Sequence, residues 1–410
     1  MRNGVGYVMR WIGVAGVFTA VIACDGGTTD PAPADPTVAA EPTVFQETFD
    51  GDPSGPAPFR SNRWDVTVHS RNRETWYTLE ALDADHGPAC EPPPATHPVS
   101  AYEDAVYQCR NHVMTALNAS GYGLVYLTPN HTVVFDEGTA RVEFRVSLLR
   151  RSMRDWIDLW ISPYDEHLQL ALESWLPSLS GEPRNGLSLR LDGARNAFTG
   201  TLFRDGVAED LPGTWWVGYD EFLEPSATRR DLLVLELSRD HIRFGMPEYD
   251  FWWIDTDIAP LAWSEGVVQF GHHSYTPEKD CSLPGGCAPN TWHWDDIVID
   301  PARPFRINRA TERWFSPAQA EITLQQPSRA GARLRFAGIG EDLEVSFDGG
   351  ASWLPAELQP HDPASLDPGH FRSYFTPMPQ AVSRVLLRGS PWYGGDWHVR
   401  DVSEWARASR

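Results

Sequence analysis

Several things are scarce in this 410-residue chain, and each scarcity removes a class of function. Basic residues are few: 34 Lys and Arg stand against 56 Asp and Glu, for a formal net charge of -22. Phosphate binding needs clustered cations, so a nucleic-acid partner is disfavoured. No G-x-S-x-G elbow, phosphate loop or dinucleotide fingerprint occurs, which disfavours a serine hydrolase and a nucleotide enzyme. Helix signals are nearly absent, since caps followed by a 3.6-residue apolar stripe are hard to find. Past the first two dozen residues no apolar run is long enough to cross a bilayer. The five cysteines lack the spacing to histidine that a zinc site needs, and no cofactor is expected.

Residues 1–24 read as a targeting segment. Arg2 and Arg10 precede a short apolar run that ends in Val21-Ile22-Ala23-Cys24. This resembles a bacterial lipobox, which implies lipidation at Cys24 and an envelope protein held to a membrane only by that anchor. Residues 25–43, rich in Pro, Ala, Asp and Thr, lack the apolar surface to fold and form a tether. The other cysteines, Cys90, Cys109, Cys281 and Cys287, are even in number in an exported chain. Of three possible pairings, Cys90–Cys109 and Cys281–Cys287 close the shortest loops.

From residue 44 the pattern is β throughout, so the fold class is all-β. ARVEFRVSL alternates strictly, with Val142, Phe144 and Val146 on one side. Residues 155–175 are the most informative stretch. Trp156, Asp158 and Trp160 share one face, and Ile157, Leu159 and Ile161 the other. After a Ser-Pro-Tyr-Asp turn, Leu168, Leu170 and Leu172 lie opposite Gln169, Ala171 and Glu173. Pairing Ile161 with Leu168 predicts a hairpin with one greasy face and one wet face of indoles and carboxylates. Trp160 then neighbours Gln169, and Trp156 neighbours Glu173. Asp158 and Glu173 become diagonal neighbours, with Cβ atoms roughly 7 Å apart.

Three groups of residues together carry a family resemblance: the opening FQETFDGD, the strand ARVEFRVS followed by a Trp-rich strand, and the closing WHWDDIVID. They resemble the concanavalin A-like lectin and glucanase superfamily over residues 44–300. The resemblance implies a jelly-roll sandwich that binds or cuts polysaccharide on its concave face. The E-x-D-x-x-E catalytic motif of the laminarinase-type members is absent. The comparable strand reads WIDLWIS and keeps only Asp158. Some members hold structural calcium, with Glu47, Gly51 and Asp296 as counterparts here.

A boundary is expected at residues 301–305, leaving 301–410 as a small β-sandwich module. Within it SFDGGASW resembles a single Asp-box turn, too few for a propeller.

Indoles stack on sugar rings and carboxylates pair with hydroxyls, so the expected function is polysaccharide binding. The binding set is Trp156, Trp160 and Gln169, with His273, Tyr275 and Trp294 at the rim. The alternative is glycoside hydrolysis or lysis by Asp158 and Glu173, whose spacing suits two carboxyl groups flanking a glycosidic bond. A third reading is a structural envelope lipoprotein. A metal set of His273, His293 and Asp295 lacks supporting spacing, and His272 and His273 point to opposite sides of a regular strand.

Overall fold

The structure is a computed structural model, and it describes residues 41–50, 57–59, 61–70, 76–77, 99–100, 106–109, 111–117, 123–148, 155–164, 185–192, 197–213, 230–274, 290–315, 318–357, 372–391 and 397–407. Residues Ala39–Arg410 form one compact unit. The expected anchor Cys24, and Cys90, Cys281 and Cys287, lie outside the described residues. Cys109 is buried.

Two antiparallel sheets face each other across one core. The first runs Trp64–Ser70, Gly123–Pro129, Glu265–Ser274, Asp155–Pro163, Gly186–Asp192, Ala197–Arg204 and Val207–Asp210. In the second, the front half of the long strand Asn290–Phe315 pairs with Thr43–Glu47 and Val113–Leu117 on one side. On its other side come Ala140–Leu148, Asp231–Leu237, His241–Met246 and Phe251–Asp257 in turn. Period-2 alternation sends one side of every strand inward. Ile157, Leu159, Ile161, Leu187, Leu189 and Phe270 enter from the first sheet, and Val142, Phe144, Leu235 and Ile299 from the second. Phe144, Phe270 and Trp294 join the sheets through ring contacts of 5.3 to 6.1 Å. The all-β sandwich of two sheets read from the sequence is the fold the protein has.

The strand Asn290–Phe315 runs unbroken through the expected boundary. Beyond it lie two smaller sheets. In one, residues 305–309 pair with His398–Arg407, followed by Arg333–Ile339 and Arg372–Pro377. In the other, residues 310–315 pair with Ala320–Leu324, followed by Arg384–Ser390 and Glu341–Ser346. A second core fills the space between them, built on Ile322, Leu334, Val345, Leu387 and Val399.

The SFDGGASW segment forms a hairpin tip between Glu341–Ser346 and Leu354–Pro355. Gly349 and Gly350 take φ of 73° and 94°. The Asp348 carboxylate accepts from the Ser352 amide at 2.9 Å and the Ser352 hydroxyl at 2.5 Å. These donors, the Ser352 hydroxyl foremost, hold its pKa down at about 2.

Candidate functional site

The strand Asp155–Pro163 splits as its sequence demands. Ile157, Leu159 and Ile161 enter the core, and Trp156, Asp158 and Trp160 take the opposite face. Its partners differ from the expected hairpin. Ile161 pairs with Leu187 on one side and Val268 on the other, not with Leu168. Residues Gln169 and Glu173 lie outside the described residues, as does Tyr275.

Cross-strand register assembles the site in three rows. Trp156 lies opposite His273, Asp158 opposite Gly271 and Trp160 opposite Gln269. One strand further on, Gly271 faces Tyr126. His273 stacks on Trp156 at 4.7 Å with 15° between planes. The Arg190 guanidinium lies over the other aromatic partner, 4.1 Å from the Trp156 ring. Asp158 Oδ2 lies 3.0 Å from His273 Nε2, so that nitrogen carries the hydrogen and donates. The Tyr126 hydroxyl donates to the same oxygen at 3.4 Å and sits 3.3 Å from His273 Nε2.

Gly271 makes this trio geometrically possible. A Cβ there would lie 1.9 Å from Asp158 Oδ1 and 2.5 Å from the Tyr126 ring. Only a residue without a side chain lets Asp158 reach across its strand to histidine and tyrosine.

The wet, open face expected from the sequence is instead closed. Trp156 is 3%, Asp158 5% and Trp160 0% exposed, with His273 at 2% and Gln269 at 0%. Yet three polar atoms in this closed space have no hydrogen-bond partner among the described residues: Asp158 Oδ1, Trp160 Nε1 and Gln269 Oε1. Gln269 spends its amide on the Thr128 hydroxyl at 3.1 Å. Each buried orphan costs about 1–3 kcal/mol. Three on two neighbouring strands mark a place where polar partners are wanted.

Trp294, expected as a sugar platform at the rim, is a core residue. Its ring is fully buried and its Nε1 donates to Thr115 Oγ1 at 2.9 Å. The cause is the Val146–Trp294 pairing, which turns the indole inward beside Phe144. His272 and His273 do point to opposite sides, His272 meeting Thr115 Oγ1 at 3.0 Å.

His273, His293 and Asp295 are not brought together. His293 Nδ1 lies 2.6 Å from His112 Nε2, and Asp295 meets Arg230 at 2.5 Å. Burial outweighs that cation and pushes the Asp295 carboxyl up to about 6. Among the described residues no group of three His, Cys, Asp or Glu is placed to hold a metal ion. Of the calcium counterparts, Glu47 is held by Arg63 at 3.1 Å and Asp296 by Arg145 at 3.4 Å. Gly51 lies outside the described residues.

Tyr126, Arg190, Gln269 and Gly271 were not legible as site residues. One local signal existed: in VVQFGHHSY, Gln269, Gly271 and His273 fall at every second position of an otherwise apolar strand.

No family model matches the chain, and no curated protein matches it. Solved structures similar to it include the laminarinase from Rhodothermus marinus. Identity there is 13% and the TM-score 0.37, over 64% of this chain and 98% of that one. LamAcat from Zobellia galactanivorans matches at 10% identity and a TM-score of 0.39, over 62% of this chain and 96% of that one. A carbohydrate-binding module from Bacillus subtilis matches at 13% identity and a TM-score of 0.29, over 58% and 98%. These are likenesses of fold.

Proposed function

We propose that the protein binds polysaccharide on the concave face of its first sandwich, displayed from an envelope membrane by a lipid on Cys24. The observation that carries this reading is the trio of orphaned buried atoms beside a stacked indole. Asp158 and Gln269 offer acceptors and Trp160 a donor, which is what hydroxyl groups answer. Trp156, stacked on His273 and covered by Arg190, brings aromatic surface to the same face once those arms move aside. A sugar reaches these groups only when the face is uncovered, so binding should alter tryptophan emission. On a polysaccharide panel, Trp156→Ala should weaken binding at least tenfold, the equivalent of about 1.4 kcal/mol. Unchanged affinity for a glycan that binds the parent chain would place the site elsewhere. The anchor is tested separately: Cys24→Ser should leave the membrane fraction.

A second reading, turnover on the same face, is favoured by the Asp158–His273–Tyr126 trio. A carboxylate that orients an imidazole beside a phenol is an arrangement for proton transfer. Asp158→Asn discriminates. A binding protein should lose affinity modestly, whereas an enzyme should lose turnover by orders of magnitude and still bind.

A further inference from the structure

We infer that the C-terminal sandwich is a permanent wall of the concave face, locked by Asp65 and Glu265 of the first sandwich. A ligand is thereby confined to the rows from Gln269 to His273. That confinement rests on the concave face being the ligand site; the lock does not.

The lock begins with alternation. Glu265, Val267, Gln269, Gly271 and His273 share one side of their strand, so Glu265 and Val267 continue the floor of the site. Asp65 joins the same floor, because it lies opposite Thr128, the hydroxyl that Gln269 binds. Groups from the C-terminal sandwich and its entry strand cover this end. Arg335, 1% exposed, reaches Asp65 at 2.5 Å, and Arg309 lies 3.9 Å from the same carboxylate. Arg407 meets both Glu265 oxygens at 3.0 Å, and Arg303 holds one at 2.5 Å. Between the two ion clusters lies an apolar seal of Tyr164 and Val267 against Phe305, Ile307, Phe375 and Trp405. Arg407 also stacks on Tyr164, 4.2 Å from its ring.

Asp65 and Arg335 form a buried ion pair across the two sandwiches. Removing one member of a buried ion pair leaves an uncompensated charge, a far larger loss than the pair's own net worth. A module that swung on a linker would break this pair at every excursion. No linker exists in any case, since the strand Asn290–Phe315 belongs to both sandwiches. The two cores therefore unfold together, and the lower end of the concave face is never bare.

Thermal unfolding of the full chain tests the lock. One transition is expected, and Asp65→Asn and Arg335→Met should each lower its midpoint by roughly 5 °C or more. The double variant should lose clearly less than the two singles added. Two separate transitions in the parent chain, or additive singles, would overturn the lock. Hydrogen exchange with soluble laminarin as the probe tests the confinement. Protection should appear at residues 269–273 and be absent from His398–Arg407. Protection of the C-terminal strand alone would overturn the confinement. If no polysaccharide protects any segment or binds, the concave-face reading falls and the lock still stands or falls by the unfolding result.

Discussion

The two outer faces of the first sandwich handle charge in opposite ways. The second sheet turns a lattice of ion pairs to solvent: Arg141 to Glu143 and Glu236, Arg243 to Glu236 and Asp255, His241 to Asp255 and Asp257. All but Arg141–Glu143, which lies within one strand, run across neighbouring strands; their side chains can be reached by water, and each is worth little. On its outer side the first sheet buries charge, at Asp65 and Asp158. Asp158 meets a histidine and a tyrosine while its second oxygen stays orphaned. Charge density therefore points away from the face proposed for binding. The face proposed for binding is the one where polar atoms are dry and underpaired, since there a ligand offers what water and neighbours do not.

The comparison breaks first at Gly271. Gly271→Ala should destabilise the protein by about 3 kcal/mol, because its Cβ has no room beside Asp158 and Tyr126. Denaturant unfolding measures this, and glycan affinity should fall with it. A tolerated alanine would show that Asp158 does not need to cross that strand. Next in size is Asp295, the buried exception near the polar lattice. Its folded pKa of about 6 lies above the ordinary aspartate value of 3.8, so the folded state binds more protons between those values. Its contribution to stability should fall as pH rises through that window, by about 3 kcal/mol at most, and be gone above it. Carboxyl NMR should find its midpoint near 6; a midpoint in the ordinary aspartate range would mean that Arg230 outweighs burial. Smaller still is Gln269→Leu. It removes an orphan and one hydrogen bond together, so the free protein should change by less than about 1 kcal/mol while binding drops several-fold. A large loss of stability with intact binding would make Gln269 a structural residue.

Much of the fold was legible because alternation is local. Ile157, Leu159 and Ile161 face the core as their spacing requires, and the FDGG turn closes a hairpin as its glycines demand. The site was legible only in part. Asp158 and His273 were both singled out, but in separate groups, because 115 residues separate them and nothing local records that their strands pair. The expected hairpin went wrong for a related reason. Leu168 is the nearest greasy run to Ile161, yet the sheet pairs Ile161 with Leu187. Trp294 was misread because strand periodicity gives two faces without saying which is inward. The closing of the wet face follows from rings and arms supplied by other strands, such as Arg190 and Phe203 against Trp156 and Trp160.

The smallest effect belongs to the lattice, and it is the most direct check on the contrast between faces. Glu236 is the lattice's central carboxylate, 2.9 Å from Arg141 and 3.4 Å from Arg243, with a quarter of its side chain exposed. If such pairs are weak because water already solvates both partners, Glu236→Gln should cost no more than about 1 kcal/mol. Part of that loss should vanish in 1 M salt, where the screening length is about 3 Å. Glycan affinity should not move, since the residue lies on the far side of the core from Asp158. Urea unfolding at low and high salt measures the first two expectations, and a binding isotherm the third. A salt-insensitive loss of several kcal/mol would mean that the lattice is as dry as the concave face, and the contrast between the two faces would disappear.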